Sequence, residues 1–270
     1  MAKAKEGFVQ AGEYRTHYWE AGQGDTVVMM HSADPGTGGG LEYRHTIEPL
    51  SEHFKIYAVD IIGFGKTDSP KALLKHPAYV KHMFDFMDAV GIKKAHLVGN
   101  CRGGLIAITM GHEHPERVGR IILIGNAGGG IPPELEEKAL APYANYQANK
   151  ENLKSMLDRS YFSTDSSVPP DVFELYLKDS ARQYDAYNKL GGYPMDVPNC
   201  RPQLAEIKVP VLFVVGRESK VLPIEQALKG YALTPGSRFY SMSNCGLHPQ
   251  TEYPNEFNKL AVQYLKGELF

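Results

Sequence analysis

Short apolar, β-branched runs recur along this chain of 270 residues, separated by longer stretches of helical period, and that alternation restricts the fold more than any other feature. The runs fall at residues 14–20, 26–31, 54–61, 95–99, 120–125, 209–215 and 238–242. Strands separated by helices pair in parallel, because each return crossover is a helix packed across the sheet. One helix is expected from about Pro77 to Val90, with proline in the first turn, where its missing N–H costs least, and Gly91 as its stop. A second follows the 95–99 strand directly, from about Gly103 to His114, and ends at Pro115. From 128 to 206 the alternation fails: helical periodicity appears at 134–146, 151–161 and 170–190, with no strand. Residues 1–127 and 207–270 are therefore expected to form an α/β core, and 128–206 a helical lid inserted over the sheet.

The charge balance excludes several partners. With 29 Lys+Arg against 31 Asp+Glu the net charge is −2, so nucleic acid is not an expected partner. The longest strictly apolar run is Val211 to Val215, far short of the ~18 residues of a membrane span. The first six residues, MAKAKE, lack the apolar core of a secretion signal, and the three cysteines (101, 200 and 245) make neither a disulfide framework nor a zinc pattern; a cytoplasmic location is expected. The glycine-rich stretch 36–40 lacks the Gly-Lys-Ser/Thr ending of a phosphate loop, and no His/Asp/Glu set has metal-ligand spacing, so neither nucleotide cofactor nor metal is implied. A small-molecule substrate is the expected partner. A homodimer is compatible with the sequence, which does not fix the assembly.

The string His96-Leu97-Val98-Gly99-Asn100-Cys101-Arg102-Gly103-Gly104 runs from strand into helix through G-x-C-x-G. Glycines two residues either side allow a strained turn that lifts the central side chain to the top of the sheet at a helix N-terminus, a position suited to a nucleophile. With this turn in view, the chain resembles the α/β-hydrolase superfamily nearly end to end, and within it the meta-cleavage-product hydrolases, which cut C–C bonds in dioxo acids from aromatic degradation. Met30 to Gly36 resembles the family's oxyanion loop. Asp60 to Asp68 resembles its D-x-x-G-x-G-x-[ST]-D turn, His114 to Val118 and Arg120 to Ile124 its approach to the sixth strand, and Glu151 to Leu157 a lid helix. The resemblance implies a mostly parallel eight-stranded sheet flanked by helices, with the lid after the sixth strand.

The resemblance also implies a Ser nucleophile, an Asp and a His, and this chain departs at all three positions: Cys101, Ser219 and Leu247 stand there. Glu218 precedes the acid position by one residue and His248 follows the base position by one, so a rebuilt Cys101–His248–Glu218 relay is one expectation. A thiol at a helix N-terminus could alternatively ionise without a histidine. In the altered oxyanion loop, Ala33 and Arg102 are the backbone candidates. Asp34 either caps the turn before Pro35 or serves as an acid or base. Ser32, Ser219, Leu247, Tyr146 and Tyr161 are candidates to line a substrate pocket. The functional expectations are an enzyme using Cys101 for C–C or ester hydrolysis or acyl transfer on a small, cyclic or aromatic-derived carbonyl compound; a lyase, cyclase or isomerase using Cys101 with Asp34 or His248 for proton transfer; or a non-catalytic ligand-binding protein.

Overall fold

The computed structural model describes residues 3–126, 128, 129, 141–143, 146–192 and 196–269. Eight strands form one sheet: β1 Lys5–Ala11, β2 Tyr14–Ala21, β3 Thr26–Met30, β4 Lys55–Val59, β5 Ala95–Asn100, β6 Val118–Ile124, β7 Val211–Gly216 and β8 Arg238–Met242, in the order β1-β2-β4-β3-β5-β6-β7-β8. β1 pairs with β2 and β2 with β4 antiparallel, and every other pairing is parallel. β1 is absent from the runs read in the sequence. Only Phe8 and Val9 in it are strong strand formers, and it is held by its hairpin with β2.

Both faces of the central strands are covered, which is why they read as continuous apolar runs. Val28 and Met30 of β3 point into one core layer with Phe86 and Ile106; Val27 and Met29 point into the other with Phe257 and Tyr264. The first layer is closed by α1 (His76–Ala89) and α2 (Arg102–Glu113). α3 (Lys150–Ser160) and α4 (Pro170–Asn188) follow β6, α5 (Ile224–Leu233) precedes β8, and α6 (Pro254–Leu265) closes the second layer. No helix among the described residues is long and apolar enough to cross a membrane.

The segment between β6 and β7 returns to its starting point. Gly129 bridges Asn199, and Cys200 N donates to Gly128 O at 2.7 Å. Leu153, Leu157, Tyr161, Val168 and Tyr176 form a small apolar cluster of its own. Most of the helix expected at 134–146 lies outside the described residues.

Candidate active site

β5 runs straight into α2, and Cys101 between them has φ 47° and ψ −108°, a left-handed conformation that a side-chain-bearing residue adopts only under constraint. Cys101 N donates to Ile124 O at 3.1 Å and Gly103 N to His31 O at 3.2 Å, so the turn is tied to the ends of β6 and β3. A Cβ at Gly103 would stand 2.2 Å from Met30 O, and one at Gly99 would stand 2.3 Å from Gly103 O. The spacing of the glycines is thus required by the closeness of the backbones. Cys101 remains partly exposed.

The loop after β3 turns Asp34 inward. His31 fixes its start, with Nδ1 donating to Ser32 O at 2.7 Å and Nε2 accepting from Ile61 N at 2.9 Å. Burial lowers the His31 pKa, consistent with the neutral ring these two bonds require. Ser32 is held by Glu42, whose carboxylate accepts from Ser32 N at 3.0 and 3.1 Å, from Ser32 Oγ at 2.7 Å and from Thr37 Oγ1 at 3.0 Å. Glu42 itself is buried in the helical turn Gly39–Glu42. That turn is anchored by Asp60 Oδ1, which accepts from Gly39 N at 2.7 Å. The D-x-x-G-x-G turn and the glycine-rich stretch therefore meet in one support beneath the loop after β3.

Asp34 and His248 form a buried pair, with Nε2 donating to Oδ2 at 2.9 Å. Tyr143 OH donates to Asp34 Oδ1 at 3.2 Å, and the Ser160 hydroxyl also bonds the carboxylate. Burial alone would raise the Asp34 pKa; the bond and charge of His248 together with the two hydroxyls outweigh it and hold the carboxyl below its ordinary range. For His248, burial would lower the pKa, but the Asp34 bond and the charges of Glu42, Asp34 and Glu252 raise it. The ring stacks on Tyr161 at 4.5 Å and 21° between planes, and its Nδ1 meets the Asn100 carboxamide at 2.8 Å. Glu252 secures the loop, accepting from Gly246 N at 2.8 Å and from Phe162 N at 2.8 Å.

Residues 26–154 match the family model of the alpha/beta hydrolase fold. The chain is 31% identical over 262 residues to a 2-hydroxy-6-oxononadienedioate/2-hydroxy-6-oxononatrienedioate hydrolase of Escherichia coli strain K12, covering 93% of this chain and 91% of that protein. It is 28% identical over 276 residues to the same-named hydrolase of Paraburkholderia xenovorans LB400, covering 98% and 94%. A solved meta-cleavage product hydrolase of Pseudomonas fluorescens IP01 superposes with a TM-score of 0.88 at 27% identity, covering 97% of this chain and 98% of that one. The chain belongs to the meta-cleavage-product hydrolase group of the α/β-hydrolase family.

Within that α/β-hydrolase frame the structure reassigns several residues expected to act. Glu218 does not reach His248: its Oε2 accepts from Cys245 N at 3.2 Å, which pins the loop after β8. The carboxylate partner of the imidazole is Asp34, from the opposite side of the site. Both His248 nitrogens are occupied, and no hydrogen bond among the described residues joins the Cys101 sulfur to an imidazole or a carboxylate; the expected relay is not assembled. The surroundings of the sulfur work against the expected thiolate. Burial and the Asp34 charge push the Cys101 thiol up to about 12, against the weaker opposing effect of Arg102. The Arg102 guanidinium lies 4.9 Å from the Tyr79 ring centre in a buried position.

The proposed pocket residues divide. The Ser32 hydroxyl is consumed by Glu42, whereas Ser219 Oγ accepts from Leu222 N at 3.1 Å within its own turn on a part-exposed loop. Leu247 is buried with its Cδ1 against Gly125, and its N–H donates to Ser160 O at 2.6 Å. Tyr161 covers His248, whereas Tyr146 packs with Tyr143 and Met156. Ala33 sits buried on the loop beside Asp34. Among the described residues no group of three or more His, Cys, Asp or Glu could hold a metal ion. Glu42, Asn100 and Gln250 were not singled out by sequence, since their roles depend on partners distant along the chain. The raised thiol pKa has a direct readout: iodoacetamide labelling of Cys101, followed by peptide mass spectrometry, should quicken steadily to pH 10 with no plateau. A plateau below pH 8 would show a stabilised thiolate instead.

Proposed function

We propose that this protein is an enzyme of C–C bond chemistry that moves a proton on a small, enolisable carbonyl compound, with Asp34 and His248 as the acid/base pair and Cys101 as an un-ionised thiol beside the reacting carbon. The observation that carries this reading is the 2.9 Å bond between His248 Nε2 and Asp34 Oδ2, with both groups buried next to a thiol that has no base of its own. Nucleophilic attack by sulfur at neutral pH needs either a thiolate or a base, and the resting arrangement supplies neither. Proton transfer needs a positioned donor, and an imidazole held by a carboxylate, which favours its charged form, is one.

The names of the relatives suggest the substrate class: an unsaturated 2-hydroxy-6-oxo dicarboxylic acid. In such a dienol, a proton delivered to carbon converts the enol into a ketone, and the enol oxygen gives up its own proton in return. The resulting ketone activates the bond to the second carbonyl for cleavage by water. The Tyr143 and Ser160 hydroxyls hold Asp34 ionised while the proton leaves the pair.

The test is turnover of 2-hydroxy-6-oxononadienedioate in D2O, following loss of the dienol absorbance and deuterium uptake at carbon. Asp34→Asn and His248→Gln should each lose about 10²–10⁴-fold in rate, the usual worth of a general acid/base, while Cys101→Ala stays within about tenfold. The strained backbone at Cys101 favours a second reading, covalent catalysis by sulfur. A substrate-derived adduct on Cys101 by intact mass, or a dead Cys101→Ala enzyme, would replace the first reading by the second. No exchange and no turnover would leave a ligand-binding protein.

A further inference from the structure

Resting on the proton-transfer reading, a further assignment concerns the other nitrogen of the imidazole. His248 Nδ1 faces two carboxamides, Asn100 Nδ2 at 2.8 Å and Gln250 Nε2 at 3.4 Å. A neutral ring whose Nε2–H already donates to Asp34 has a single lone pair at Nδ1, so two NH2 groups compete for one acceptor. The carbonyl oxygens of the same two carboxamides, Asn100 Oδ1 and Gln250 Oε1, are buried with no partner among the described residues. Gln250 has another use for its NH2, which lies 3.4 Å from Glu42 Oε1. Asn100 has no such alternative among the described residues.

The oxygen and nitrogen of a carboxamide are distinguished by what they bond. A half-turn of the Asn100 amide brings Oδ1 to the ring nitrogen, ends the competition with Gln250, and requires a proton on Nδ1. The charges around the ring favour that proton. Asp34 faces it from the loop after β3, Glu42 from the turn at 39–42 and Glu252 from the turn Pro249–Glu252; Tyr161 lies flat against it and contributes no charge as the phenol. A buried imidazolium is compensated by the carboxyl groups around it, an attraction that a neutral ring forgoes.

We propose that Asn100 is a positioning residue whose side-chain carbonyl accepts a hydrogen bond from a protonated Nδ1 of His248, clamping an imidazolium between Asn100 and Asp34. The donor that the reaction draws on is then stored in the resting enzyme, and Asn100, the second residue of the G-x-C-x-G turn, links the strain of the elbow to the protonation of the ring.

Nitrogen NMR of the full-length protein labelled with ¹⁵N-histidine tests this directly. At pH 6 both His248 nitrogens should carry protons, and the midpoint of the His248 titration should fall by at least one unit in Asn100→Leu and rise in Asn100→Asp. The acidic limb of the deuterium-uptake pH profile should move in step. An unprotonated Nδ1 in the wild-type protein at pH 6 overturns the assignment without any variant, as does an unmoved midpoint in a folded Asn100→Leu protein. The spectrum needs no turnover, so an Asp34→Asn enzyme that keeps full exchange would defeat the proton-transfer reading while leaving the clamp intact.

Discussion

Asp34→Asn is expected to cost about 3–5 kcal/mol at pH 5, because it leaves a buried imidazolium without its charge partner. For a chain of this size that is a fall of roughly 10 °C in melting temperature. The pH dependence identifies the cause. Asp34 has a lowered pKa in the folded protein, so its contribution is present above the ordinary carboxyl value and is lost as pH falls through the folded value. His248 has a raised pKa, so its contribution is present below the ordinary histidine value and is lost as pH rises through the folded value. The two overlap between about pH 4 and 6.5, where the pair stabilises most. Melting curves of wild type and variant should therefore diverge most near pH 5 and approach each other at pH 9. An equal difference at both values would mean that Asp34 acts through packing alone.

This pair also marks how far the sequence could be read. The alternating runs and G-x-C-x-G located seven of the eight strands, the elbow and α2 within a residue or two, because periodicity and turn chemistry are local properties. The relation between His248 and Asp34 is not local: the residues are 214 positions apart and meet only because the loop after edge strand β8 runs back to the end of β5, where Asn100 touches His248, and so to the loop after β3. Reading Glu218 as the partner followed from the family's chain order, which puts the acid after β7. Here the carboxylate bonded to His248 is Asp34, on the loop after β3, and Glu218 holds the Cys245 amide. The electrostatics around the thiol are non-local for a related reason. A helix N-terminus lowers a thiol pKa, but a buried carboxylate nearby raises it, and only the folded chain brings Asp34 to Cys101. Likewise, Glu42 follows Leu41 just after a glycine-rich stretch, and nothing adjacent to it reveals that Ser32 and Thr37 will spend their hydroxyls on it.

Replacing Glu42 should have an effect of similar size through a different route. Its carboxylate accepts from Ser32 N, Ser32 Oγ and Thr37 Oγ1, and Gln250 Nε2 stands at 3.4 Å. Glu42→Leu removes every one of these acceptors while burying the donors under hydrocarbon, and at about 1–3 kcal/mol for each stranded donor the loss is on the order of 5 kcal/mol. Glu42→Gln keeps one acceptor oxygen but turns an NH2 toward donors, for a loss of about 2–4 kcal/mol. Because Ser32 precedes Ala33 and Asp34, the slack enters the oxyanion loop, and catalytic rate should fall together with stability. Denaturant unfolding of the single and double variants separates this from a general loss of packing. Removing the Ser32 hydroxyl from the Glu42→Gln protein removes one stranded donor, so Ser32→Ala should cost about 1 kcal/mol less there than in the wild-type background. Strict additivity of the two substitutions would show that Glu42 fills space beneath the loop without holding it.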